Sequence, residues 1–421
     1  MTLGRTTRCW GVAVAVGLVL PLGHAVAADQ GANVPAPFPK TAPSSTPPPA
    51  PAPDATQTPA ATPYASAWTV PFSGDGPLSL TFTASNLILA GSQIATEARA
   101  LDDGRVLWTS KRKADAAPIV AGNLVLAPSG GQLVAIDAAN GHDVWTADFT
   151  GAVQTPVVAG DAVFLTTGTT LTARRAADGT PLWVASLGAS AIAPPAVGEN
   201  LVIAALDDRT LASFDRATGT PVWRETTDLA VLAMTALGDR VYAGVAEGKA
   251  CAYKMEHGRQ DWCFPVRVKP IGAPVGDTRQ VYFAFLDNMV HVFDRRSGRR
   301  YFTPSLDSLP AAGPTLTSDY LIVPVVTGEF VLLALHDDLK PSRVSTPRAL
   351  ELPSTRAAAI AADGSALALV NTSAGGRYSL VYFSRKPASE EPQKAEDPPE
   401  SNEAKKSDGT ASGTPRAPTA P

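Results

Sequence analysis

The stretch Ala135-Ile136-Asp137-Ala138-Ala139-Asn140-Gly141-His142-Asp143-Val144-Trp145 decides the fold, because its skeleton recurs along the chain. Glycine stands four residues before an aromatic at Gly104, Gly141, Gly179, Gly219, Gly258 and Gly298. The aromatics are Trp108, Trp145, Trp183, Trp223, Trp262 and Phe302, and Trp68 opens the series. Ten residues before each of the six lies a small or modest residue: Ala98, Ala135, Ala173, Ser213, Ala252 and Val292. Asp137, Asp215 and Asp294 follow two positions later, giving A-x-D-x-x-x-G-x-x-x-W.

The aromatics are spaced by 40, 37, 38, 40, 39 and 40 residues. A period near forty marks either propeller blades or helical arrays. The residues between them choose. Ala117-Pro118-Ile119-Val120, Asn123-Leu124-Val125-Leu126, Gln132-Leu133-Val134-Ala135-Ile136 and Val144-Trp145-Thr146-Ala147 are short apolar runs separated by turn residues. Four such runs per repeat read as a four-stranded antiparallel sheet. Apolar spacing at i, i+3, i+4 and i+7 is not sustained anywhere in the repeats, so helical arrays are excluded. Isolated four-stranded sheets bury little, and radial stacking closes them around a common core. The sequence therefore predicts an all-β propeller.

The repeat has a physical logic. A hairpin between the third and fourth strands needs a residue at positive φ, which glycine adopts without steric cost. Tryptophan on the fourth strand can then cover the next blade, where a small residue leaves it room. A short polar side chain beside the glycine can bond the turn backbone.

The series predicts eight blades. Beyond Phe302, a degenerate repeat contains Tyr320–Val323 and Phe330–Ala334. A last set, Ala357–Ile360, Ala366–Val370 and Tyr378–Phe383, has only three strands. The unpaired strand at Trp68 can supply the fourth and close the ring. Seven blades remain open if the degenerate region packs otherwise.

Around the repeats the composition changes. Residues 1–27 read as a secretory leader, with Arg5 and Arg8, an apolar run from Trp10 to Leu22, and Ala25-Val26-Ala27 as cleavage site. Residues 28–63 are rich in Pro, Ala and Thr and read as an extended linker. Residues 64–385 hold the propeller. Residues 386–421 form a polar tail that reads as disordered. No later segment qualifies as a transmembrane span, and no cysteine follows the cleavage site to carry a lipid. The location expected is periplasmic or extracellular. Losing Arg5 and Arg8 takes the formal charge from -4 to -6, which argues against nucleic acid as a partner.

The A-x-D-x-x-x-G-x-x-x-W repeat resembles the tryptophan-docking motif of PQQ-type propellers, over about Ala67 to Lys386. In architecture the chain is similar to the outer-membrane protein assembly factor B family. The resemblance implies that Trp68, Trp108, Trp145, Trp183, Trp223, Trp262 and Phe302, with their glycines, brace adjacent blades. It also implies a non-catalytic envelope scaffold that binds a protein partner, possessing no cofactor; a monomer is expected. An extracytoplasmic binder of cell-wall glycan or of a secreted protein is the alternative. A PQQ-dependent dehydrogenase of the same repeat family would need an adjacent-cysteine disulfide and calcium ligands, and this chain has no adjacent cysteines.

Other side chains offer further readings. Cys251 and Cys263 flank the hairpin through Gly258 symmetrically, which predicts a cross-strand disulfide in an oxidising compartment. His142, His257, His291 and His336 fall in different repeats with no zinc-ligand spacing. Basic residues cluster at Lys111-Arg112-Lys113, at Arg174-Arg175, and at Arg295, Arg296, Arg299 and Arg300. The last group surrounds one turn and is the candidate partner patch.

Overall fold

The structure is a computed structural model that describes residues 63–72, 78–91, 94–335, 341–345, 354–372 and 378–386. The expected leader, the linker up to residue 62, the tail beyond residue 386 and His336 lie outside the described residues. Those described form 31 strands and no helix.

The strands assemble into eight antiparallel sheets, each one blade. The second blade shows the pattern: Ile119–Ala121, Leu124–Ser129, Gln132–Asp137 and Asp143–Asp148, paired in that order. The first strand of each blade lies innermost. From the first blade to the seventh these inner strands touch one another in succession, and that of the eighth, Ser354–Ile360, meets the first, Leu78–Phe82. The fourth strand is the outer rim.

Apolar residues are distributed as this geometry demands. Along Leu124–Ser129 nearly every residue is buried, unlike a sheet with one wet face. Successive side chains point to opposite faces. Leu124 and Leu126 therefore pack toward the third blade, with Val163 and Leu165. Val125 and Ala127 pack toward the first, with Ile88 and Ala98. The core is thus divided among the junctions, and each of the eight has its own cluster.

The ring closes through the N-terminal strand. Tyr64–Phe72 pairs antiparallel with Tyr378–Arg385, so the eighth blade takes its rim strand from the other end of the propeller. The eight-blade reading holds, and the seven-blade alternative does not. Trp68 sits opposite Tyr382, with their rings stacked 5.0 Å apart.

The sixth blade is irregular. Its regular strands are three, Pro270–Gly276, Gln280–Phe285 and Met289–Asp294. The rim is held by isolated bridges, Phe293 to Arg300 and Met289 to Ser305. Pro304 lies between those bridges, where it cannot donate a ladder hydrogen bond. Hairpins joining first to second strands lie at one end of the blades, called here the turn face, and in the first five blades the hairpins joining third to fourth strands lie there too.

Candidate functional site

The docking residues come together at six junctions. Trp68 lies over Gly104, Trp108 over Gly141, Trp145 over Gly179, Trp183 over Gly219, Trp223 over Gly258 and Trp262 over Gly298. A Cβ on these glycines would fall 2.3–2.8 Å from the nearest ring carbon. Each glycine also has φ between 66° and 77°. Each indole Nε1–H donates to the carbonyl three residues before its glycine, on Leu101, Ala138, Ala176, Arg216, Met255 and Arg295, at 2.9–3.2 Å. On its own blade each later indole faces the small residue of the motif, as Ala135 faces Trp145, and the register shifts immediately after.

Sequence reasoning assigned the glycine to its turn alone. Its second duty, leaving a bare face for the preceding blade's indole, belongs to a contact between repeats. A signal was present: the residue before the glycine changes among Asn140, Asp178, Thr218 and Ser297, whereas the glycine never does.

Phe302 departs from the expected series. It is 52% exposed and covers no glycine among the described residues. A phenyl ring has no N–H to donate, and the bridged rim of the sixth blade does not hold it as a regular strand would. The sixth-to-seventh junction is filled instead by Leu306, Tyr282, Leu321 and Val323, with Tyr301 against them.

The motif aspartates bind their own turns. Asp215 Oδ1 accepts from the N–H groups of Ala217 and Thr218 and from the Thr218 hydroxyl. Asp294 Oδ1 does the same with Arg296 and Ser297. The Thr218 side-chain and backbone bonds hold Asp215 below the usual carboxylate range, and those of Ser297 do so for Asp294. Asp178 is held at about 2, first by the Thr180 N–H. These carboxylates are consumed by the fold.

The candidate arginine patch divides. Arg295 is a brace: its guanidinium donates to the carbonyls of Asp277 and of Leu237 in the fifth blade and lies over Tyr242. Arg216 spans the third and fourth blades in the same way, bonding Ala159 and Gly198 carbonyls. Arg296, Arg299 and Arg300 are exposed. Arg299 lies over Tyr301, and Arg300 over Phe264 of the fifth blade. Arg279 joins them, a member the linear sequence hides: its carbonyl accepts from Arg295 N–H at 2.9 Å, and its side chain is exposed. In the other basic runs Arg112 pairs with Asp143 and Arg175 with Asp178, Arg174 lies over Phe149, and Lys111 and Lys113 are exposed.

Cys251 and Cys263 face each other across Lys249–Lys254 and Gln260–Pro265, and their sulfurs are bonded. His291 is buried and its Nε2 lies 2.7 Å from Asp287 Oδ2, a pair four residues apart that the sequence reading did not single out. Among the described residues no three His, Cys, Asp or Glu side chains converge as a metal site. Concave surfaces are modest. A cleft of about 670 Å³ between the fourth and fifth blades is lined by Glu199, Asp239, Lys254, Met255, Glu256 and His257. A smaller one of about 250 Å³ at the ring centre is lined chiefly by alanines and Arg356.

A family model described as outer membrane protein assembly factor BamB matches residues 91–169 and 129–337, together more than half of the chain. No curated protein matches the sequence. Among solved structures, BamB from Moraxella catarrhalis is similar, with a TM-score of 0.57 and 17% identity over 76% of this chain and 97% of that one. The computationally designed Ika8 protein is similar too, with a TM-score of 0.61 and 13% identity over 74% of this chain and 98% of that one. At such identities the structures attest the fold alone. The six docked indoles and the match across more than half its length place this chain in the PQQ-type, BamB-like β-propeller family.

Proposed function

We propose that this protein is a non-catalytic scaffold of the cell envelope that binds protein partners during outer-membrane protein assembly. The observation that carries the reading is the match to the assembly-factor family model, in two overlapping stretches, residues 91–169 and 129–337. The side chains support it. Motif aspartates are spent on turns, Arg216 and Arg295 on bracing, and the cysteines on a strand-to-strand bond, so the repeat's polar groups serve architecture. What the ring offers outward is surface, the form in which rigid repeat scaffolds bind other proteins.

The test is crosslinking in intact cells followed by affinity purification from solubilised envelopes. Recovery of outer-membrane assembly components, and their loss on disrupting the ring with Gly141→Ala, is the expected result. Recovery of no assembly component under conditions that preserve the machine would overturn the reading.

A further inference from the structure

Among the described residues, no Asp or Glu lies within ion-pair distance of Arg279, Arg296, Arg299 or Arg300. The nearest acids in sequence are occupied. Asp277 accepts from the N–H groups of Arg279 and Gln280 and from Tyr282 hydroxyl, and Asp294 caps its own turn. Elsewhere the turn face carries Asp161, Glu199 and Glu256, while Asp102 and Asp103 pair with Arg105, and Asp239 pairs with Arg240 and Lys254. The sixth blade thus gathers four exposed arginines, Arg279, Arg296, Arg299 and Arg300, outside any ion pair among the described residues.

The chain supplies a matching anion. Glu390–Glu403 contains Glu390, Glu391, Glu396, Asp397, Glu400 and Glu403 against a single Lys394. Its point of departure is fixed at the turn face. Lys386 N–H donates to the Pro63 carbonyl, and Arg385 is paired at 2.6 Å with Asp319, in the first hairpin of the seventh blade. Residues 387 to 403 can span up to about 60 Å when extended, while packed sheets are spaced roughly 10 Å apart. Two blades are therefore within reach.

We propose that the acidic stretch Glu390–Glu403 docks on the arginine patch of the sixth blade and shields it from acidic partners. Tethering raises the local concentration of this stretch to roughly the millimolar range, so weak individual pairs suffice. Arginine suits the task, since its planar fork grips a carboxylate through two hydrogen bonds. The inference goes beyond the scaffold reading and holds whichever protein the ring binds.

The full-length oxidised protein carrying Arg296→Lys and Arg299→Lys keeps both charges and offers two amines to a zero-length carbodiimide crosslinker. At low salt, mass spectrometry should find those amines joined within one chain to carboxylates of residues 390–403. The yield should fall at least about fivefold in 0.5 M salt, where the Debye length drops below 10 Å. Crosslinks confined to carboxylates of the ring would overturn the proposal. A second measurement uses the unaltered arginines. An arginine-selective dicarbonyl should modify Arg279, Arg296 and Arg299 about threefold faster when the six tail carboxylates are replaced by amides. Equal rates in the two chains would also overturn it.

Discussion

Trp108 lies flat on Gly141, so that a Cβ at Gly141 would fall 2.6 Å from the indole. Gly141 belongs to the second blade and Trp108 to the first, and one hydrogen bond, from Trp108 Nε1 to the Ala138 carbonyl, fixes the ring over the turn. The same two-point attachment recurs round to Trp262 and Gly298. Each indole is a clasp between neighbouring sheets.

Replacing Gly141 by alanine should cost about 2–4 kcal/mol, combining a left-handed φ with overpacking against the indole. Gly122→Ala isolates the backbone part, because Gly122 has φ +62° and no atom within 4 Å of its Cβ position. It should cost about 1 kcal/mol, at the low end for a residue held in that region. Urea denaturation of both variants measures the difference. Equal losses would show that the indole contact is immaterial.

Trp68→Ala should destabilise the ring by about 3–5 kcal/mol, the range for deleting a large aromatic from a core. Trp68 docks on Gly104 and stacks on Tyr382, so the loss falls on the junction that closes the propeller. Phe302→Ala should change stability by less than about 0.5 kcal/mol, as expected for an exposed side chain. A Phe302 variant as damaging as the Trp68 variant would contradict the placement of Phe302 outside the clasp series.

Acid should weaken the hairpins. The lowered folded values of Asp178, Asp215 and Asp294 mean that their contribution is present above the ordinary carboxylate range near 3.8. Below it the unfolded chain binds protons first, so stability falls as pH drops toward about 2, where Asp178 titrates. Asparagine at all three positions keeps an acceptor for the turns but does not titrate. Melting temperatures of this variant between pH 5 and pH 2.5 should fall less steeply than those of the natural protein. An identical acid slope would remove these carboxylates from the account.

Reduction of Cys251–Cys263 should lower stability by at most about 3 kcal/mol, given the 12-residue separation. The ring should survive, because Ala212, Thr172 and Val134 fill the corresponding places in other blades. Cys251 is fully buried, so reductant should act slowly in the native state. Circular dichroism melts with and without reductant measure the change. Wholesale unfolding on reduction would give the bond a larger role.

Several features were legible before any coordinates. The spacing of Trp68 to Trp262, the invariant glycines and the four apolar runs per repeat determined blades and the closing strand, and narrowed their number to eight or seven. These are properties of local periodicity, and a repeat of known length leaves few ways to bury its indole. The cysteine register followed from the same hairpin geometry.

Tertiary structure decided what depends on contacts between repeats. It put Trp108 against the glycine of the next blade and not of its own, turned Arg295 into a brace, and set the Arg279 carbonyl against Arg295 N–H. It also left Phe302 in solvent, since an aromatic at the right interval docks only where its strand is held in register. Sequence spacing specifies which side chains a strand presents. Which neighbour receives them is settled by the angle at which the next sheet packs, and that angle exists only once the ring has closed.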